Sequence, residues 1–225
     1  MSLLKELQLI TERTYQMNSG INLEKFVIGR KRFRELNRFC GAETLELSDS
    51  ARVFFRAANG KLFLAIYYSN EIISVLEKFD PRQGLHEKNI QAFVVFIEEI
   101  NHSIHAALKF ISGETEVQTE EFLRDLELLA KIDTYLILKF FLAYFNPSKQ
   151  LENFDRVWLR FHLFERQNFD YESRRLAERY YQTNHLSEKY VRFLDSLPPK
   201  HRVHEIRRFR DLPYANKARY IQMLP

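Results

Sequence analysis

Cysteine, glycine and proline are scarce in this chain, and each shortage excludes a class of protein. The 225 residues include one cysteine, Cys40, so neither an internal disulfide nor a multi-cysteine zinc site can form. Six glycines and six prolines are too few for a collagen-like, low-complexity or disordered chain. Hydrophobic residues make up 45% and charged residues 28% of the sequence, which is the usage of an ordinary globular protein.

Long apolar runs are also missing. The longest are Leu62–Tyr68 and Phe140–Phe145, whereas a membrane-spanning helix needs about 18 apolar residues or more. The first ten residues contain Lys5 and Glu6, which interrupt any signal-peptide core. We therefore expect no membrane association and a cytoplasmic location, with which the single cysteine agrees.

The strongest local signal is a β-hairpin. Two eight-residue segments, Ala51–Ala58 and Lys61–Tyr68, flank Asn59-Gly60, the dipeptide preferred in a two-residue type I′ turn. With that turn, one face of the hairpin is wholly apolar and the other mixes arginine with aromatic residues, as a half-buried hairpin requires. Alternation over Thr44–Leu47 predicts a third strand. The apolar face carries the cross-strand pairs Ala57–Leu62, Phe55–Leu64, Val53–Ile66 and Ala51–Tyr68.

The rest of the chain has helical periodicity and capping residues. The predicted fold is α+β and predominantly α: a helical bundle with a small antiparallel hairpin or three-stranded meander near residues 44–68. Residues 1–146 contain the meander and a long αα-hairpin, and residues 147–225 form an Arg-rich helical region packed on the first part as one domain. Helices are predicted over Leu3–Met17, Leu23–Phe39, Ser69–Phe79, Glu87–Ile111, Thr115–Phe145, Leu151–Arg166, Glu172–Thr183, Ser187–Ser196, Lys200–Arg210 and Tyr214–Met223.

A candidate metal site lies in the predicted helix Glu87–Ile111. Glu98, His102 and His105 cluster opposite the apolar stripe of this helix. Glu99 and His102 have the Glu-x-x-His spacing by which di-iron bundle proteins bring a carboxylate and an imidazole to one metal. The motif occurs once, whereas a ferritin-like site needs it twice. A solvated polar face is the competing interpretation. The candidate ligands of a divalent transition metal are Glu99, His102, Asp125 and Glu127, the last two from the antiparallel helix.

Asp133 is a candidate functional carboxylate. It falls within the apolar stripe of the helix Thr115–Phe145, where a buried carboxylate must be paired or hydrogen-bonded. An arginine, Tyr135 of another turn or a histidine such as His162 could be the partner. A structural buried pair and a carboxylate with a perturbed pKa both fit the pattern.

The C-terminal region is basic. Residues 1–146 contain 18 Lys and Arg against 20 Asp and Glu, whereas residues 147–225 contain 16 against 10. Arginine suits bidentate recognition of phosphate or carboxylate. An acidic protein surface or a polyanion is therefore the expected partner of this region, with a solvated surface as the alternative. The candidate polyanion-binding residues are Arg202, Arg207, Arg208 and Lys217, placed outside the apolar stripe of Val203, Ile206 and Phe209.

Motifs for phosphate loops, dinucleotide binding and hydrolase nucleophiles are absent from the sequence. The leading interpretation is a non-catalytic cytoplasmic interaction or regulatory protein that acts through helical surfaces. A metal-dependent enzyme of helical-bundle type, built on the Glu-x-x-His helix, is the first alternative. Nucleic-acid binding through the basic C-terminal helices is the second.

Overall fold

A computed structural model describes residues 1–225. The protein is α+β and predominantly α, with one three-stranded sheet. The strands are β1 (Val27–Ile28), β2 (Ala51–Ala58) and β3 (Lys61–Tyr68). The helices are α1 (Leu3–Tyr15), α2 (Arg30–Asn37), α3 (Ala42–Leu45), α4 (Asn70–Lys78), α5 (Ile90–Ile111), α6 (Glu120–Phe145), α7 (Asn153–Arg160), α8 (Arg174–Ser196), α9 (Pro199–Arg210) and α10 (Tyr214–Met223).

Hydroxyl side chains define where four of these helices begin. Ser2, Ser69, Thr119 and Ser173 each accept a hydrogen bond from the backbone N–H three residues further on. Such a cap satisfies one of the backbone donors that the first turn of a helix leaves free. In the structure the long helices α6 and α8 begin after the caps Thr119 and Ser173, later than the predicted starts at Thr115 and Glu172.

The hairpin forms with the predicted register. Ala58 pairs with Lys61 and Ala51 with Tyr68, around a turn in which Asn59 and Gly60 both have positive φ. The apolar face of the hairpin packs on the core, through Val53 and Leu64 among others. The register is thus confirmed at every pair.

The third strand differs from the prediction. Thr44–Leu47 does not form a strand, because Ala42–Leu45 is a single helical turn, α3. The third strand is β1, which pairs with β3 in parallel, so the sheet is mixed and has the order β1-β3-β2. Four alternating residues fit one helical turn as well as a strand, and the two-residue β1 has no pattern of its own.

The helices α5 and α6 form the predicted antiparallel pair at the centre of the molecule. The apolar stripe of α5 is buried from Phe93 to Leu108, and only its last residue, Ile111, is exposed. The sheet, α1 and α4 cover the other sides of α5, and α8 and α10 pack on α6. Because α5 has neighbours all round, some of its polar residues also lie inside the protein.

The C-terminal helices share the core of the N-terminal part. One cluster of buried apolar side chains extends along the chain from Leu4 to Ile221. The segments predicted as two helices, Glu172–Thr183 and Ser187–Ser196, are one continuous helix, α8. None of the helices combines the length and hydropathy needed to cross a membrane.

Candidate functional site

A cleft of about 670 Å³ lies between the sheet, α5, α6 and α8. Apolar side chains form nearly half of its lining, and a group of polar side chains occupies one wall. These polar side chains, called the His102 cluster below, are only partly exposed, at 13–26% of their side-chain area. The His102 cluster consists of Glu98, Glu99 and His102 on α5, and Glu127 and Lys131 on α6.

His102 lies between two carboxylates. Its Nε2 is 3.2 Å from Glu127 Oε2, and its Nδ1 is 3.7 Å from Glu99 Oε2. The Nε2 atom is shielded from solvent and makes no well-aligned hydrogen bond, so the contact with Glu127 is an ion pair. Burial alone lowers the pKa of His102, but the carboxylates of Glu127 and Glu99 outweigh burial and raise the pKa well above its usual value. Both carboxylates therefore favour the charged form of the imidazole.

The other members of the His102 cluster extend the network along the cleft. Lys131 Nζ lies 3.9 Å from Glu98 Oε1, and Tyr180 of α8 donates its hydroxyl to Glu127 at 3.1 Å. Burial raises the pKa of Glu98, against the lowering effect of Lys131 and His102. Burial also raises the pKa of Glu127, but His102 reverses that effect and the pKa falls below its usual range. Two neighbouring carboxylates thus differ in their tendency to hold a proton.

Three of the four predicted metal ligands meet in the cleft and the fourth does not. Asp125 and Glu127 are two residues apart on α6, which places them on nearly opposite faces of the helix. Asp125 instead binds Lys109 at 2.7 Å and Lys217 at 2.7 Å. The structure contains no group of three or more His, Cys, Asp or Glu side chains arranged to hold a metal ion. Metal binding by Glu99, His102 and Glu127 stays a prediction.

Asp133 is buried, as its position in the stripe of α6 indicates. Its partners differ from the residues that the sequence suggests. It accepts a hydrogen bond from the Tyr15 hydroxyl at 2.6 Å and lies 2.7 Å from His105 Nε2. Neither Tyr135 nor His162 contacts it: Tyr135 bonds Asp195, and His162 bonds Glu87. Asp133 therefore joins α1, α5 and α6 inside the core.

His105 does not belong to the polar face on which the sequence places it. It is completely buried and lies about 60° round α5 from His102, on the side that α1 covers. Burial lowers the pKa of His105, and the opposing effect of Asp133 is smaller. The contact between His105 and Asp133 is a hydrogen bond inside the core, and neither residue lines the His102 cleft.

The side chains predicted to bind a polyanion at the C-terminal region mostly contact other groups of the protein. Lys217 is completely buried on Asp125, where its pKa is lowered chiefly by burial. Arg202 donates to the backbone carbonyls of Leu197 and Asp195, and Arg207 donates to that of Thr14. Lys217 cannot reach a surface ligand without leaving its partner. Polyanion binding by Arg202, Arg207 and Arg208 stays a prediction, with the 60% exposed side chain of Arg208 paired to Glu205.

A basic groove lies elsewhere, beside α2. Arg30, Arg34 and Arg38 follow one another at intervals of four residues and line one side of a groove of about 910 Å³. All three are exposed, and none has a carboxylate within 4.0 Å. Two acidic residues, Asp49 and Glu71, line the opposite side. Asp49 lies 3.6 Å from Arg52, so Glu71 is the one carboxylate of the lining that has no ion-pair partner. We call this the α2 groove.

The segment that contains α2 is strongly basic. Residues 25–38 contain six Lys and Arg and one acidic residue, a net charge of +5, whereas the entire chain carries +4. The six cations are visible in the sequence, but Gly29 interrupts the pattern. The structure starts α2 directly after Gly29, and the four-residue spacing places Arg30, Arg34 and Arg38 on one face of this helix.

Comparison of the chain with models of known protein families, with curated proteins and with solved structures returns no match.

Proposed function

We propose that this protein is a non-catalytic interaction protein that binds a single-stranded nucleic acid in the α2 groove. The observation that carries the proposal is the row of Arg30, Arg34 and Arg38, exposed along one groove without a carboxylate partner. Unpaired guanidinium groups are strong bidentate ligands of phosphate. Residues four apart on a helix lie about 6 Å apart along its axis, which is comparable with the spacing of successive phosphates on a nucleic-acid strand.

An aromatic side chain beside the arginines supports a single strand over a duplex. Phe39 directly follows Arg38 and is 88% exposed, at the mouth of the neighbouring His102 cleft and next in sequence to the arginine row. Unpaired bases stack on exposed aromatic rings, whereas the bases of a duplex are already stacked on each other. The proposal also keeps a cytoplasmic location, because a chain whose single cysteine is unpaired needs no oxidising compartment.

The test is the fluorescence anisotropy of a labelled single-stranded oligouridylate titrated with the protein. Three phosphate contacts give an expected slope of about −2 for log K against log salt. The triple variant Arg30→Glu, Arg34→Glu, Arg38→Glu should lose binding, since it reverses every cation in the row. A second variant, Phe39→Ala, should weaken binding because it removes the stacking ring.

The matched control has the same net charge. Arg174→Glu, Lys200→Glu and Arg219→Glu together change three exposed cations that form no ion pair and lie outside the α2 groove. This control should keep the binding. Equal loss in both triple variants would contradict a specific groove, and absence of binding by the wild type in low salt would contradict the proposal altogether. Preference for polyglutamate over the oligonucleotide would identify an acidic protein as the partner instead.

A further inference from the structure

The His102 cluster contains more carboxylates than cations. Three carboxylates, Glu98, Glu99 and Glu127, face two cations, His102 and Lys131. Charges in a cleft of low dielectric constant are costly unless they are balanced. With every one of these groups ionised, the cluster is one positive charge short of neutrality, which a proton on Glu98, whose pKa burial raises, or a bound cation can supply.

The arginines that also line the cleft form no ion pair within the His102 cluster, although Glu127 acts on Arg179 at longer range. Arg179 donates to Glu120 at 2.6 Å, and Arg52 donates to the carbonyls of Leu47 and Ser48. Arg56 is exposed and lies over the ring of Phe63. Each is committed to groups outside the His102 cluster.

The shape and lining of the cleft fit a small organic molecule. Its volume of about 670 Å³ lies within the range of small-molecule sites, which are mostly apolar with a few convergent polar groups. Tyr171 and Tyr180 are stacked with their ring centroids 5.3 Å apart, and both line the cleft. Aromatic faces attract cations.

We propose that the cleft binds a small molecule consisting of a protonated amine on an apolar or aromatic body. The ammonium group lies among the carboxylates of Glu98, Glu99 and Glu127 and supplies the missing positive charge. The body of the ligand packs on the apolar side chains and the tyrosine rings. The ammonium donates hydrogen bonds to carboxylate oxygens, and no covalent bond is made or broken.

The probe is 2-phenylethylamine, and its neutral analogue 2-phenylethanol is the matched control. Calorimetry near neutral pH should give saturable binding of the amine in a one-to-one complex, together with a raised melting temperature. The alcohol should bind at least about tenfold more weakly, because it has the same body without the charge. This comparison uses the wild-type protein and does not depend on any variant folding.

The variants Glu98→Gln and Glu99→Gln should each weaken amine binding by about tenfold or more. Glu116→Gln, on an exposed loop outside the cleft, should leave it unchanged. The proposal is overturned if the wild type binds no amine at millimolar concentration, or if amine and alcohol bind equally. It is also overturned if iron, zinc or manganese raises the melting temperature and displaces the amine, since the cluster would then be the metal site.

Discussion

At the residue scale, the buried pairs connect segments that are distant in the sequence. Tyr15 and Asp133 are 118 residues apart, and Thr11 donates to Asn101 across 90 residues. Helical periodicity predicts that Asp133 is buried, because only the position of a residue on its own helix is needed. Its partners depend on how α1 crosses α5 and α6. That information is absent from the local pattern, and for the same reason the sequence places His105 on the polar face of α5 instead of the face that α1 covers.

Asp133 supports the first prediction at this scale. Asp133→Ala should destabilise the protein by about 3 kcal/mol, because it leaves the Tyr15 hydroxyl and His105 Nε2 unsatisfied in the core. Asp133→Asn should cost less, since its amide can accept from Tyr15 and donate to a neutral His105. The midpoint of urea unfolding measures both changes. Glu121→Ala, at an exposed position of α6, is the control, and equal stability of the two alanine variants would show that the hydrogen bonds contribute nothing.

At the element scale, the sequence predicts those elements whose signals are local. The hairpin register follows from side-chain alternation together with one turn dipeptide, and both are read within 18 residues. Periodicity predicts the long helices α5 and α6, but it places the start of α6 at Thr115 instead of Glu120 and divides α8 into two helices. The strand β1 could not be predicted, because two residues have no periodicity and their conformation depends on pairing with β3. The same limit applies to the α2 groove, in which the arginines of one helix face the segment before β2 and the start of α4.

The hairpin turn gives the prediction for this scale. Gly60 has φ +68°, a conformation that a β-branched residue resists. Gly60→Val should therefore lower stability by about 1–2 kcal/mol and speed amide exchange at Phe55 and Leu64. Gly41→Val is the matched control, since Gly41 has φ −69° and open space around it. Identical melting temperatures for the two valine variants would mean that the turn has another conformation in solution.

At the scale of the whole molecule, positive charge is divided between a buried set and an exposed set. Lys109 and Lys217 lie in the interior around Asp125, whereas the arginines of α2 face solvent. Regional charge counts treat both sets alike, and this is why the sequence favours the C-terminal region as the basic surface. Separating the two sets requires knowing which cations already have a carboxylate partner, and only the folded molecule contains that information.

The buried amine of Lys217 also allows the separation of α10 from the rest of the protein to be measured chemically. An amine inside the protein cannot react with an acylating reagent in water, whereas exposed amines such as that of Lys200 react freely. Peptide mapping after brief acetylation should show Lys200 modified and Lys217 unmodified. With longer exposure, the acetylation rate of Lys217 should follow the population of molecules in which α10 has separated from α6. Equal rates at both lysines would mean that α10 does not stay docked. A slower rate at Lys217 would make its acetylation a measure of how often α10 separates from α6.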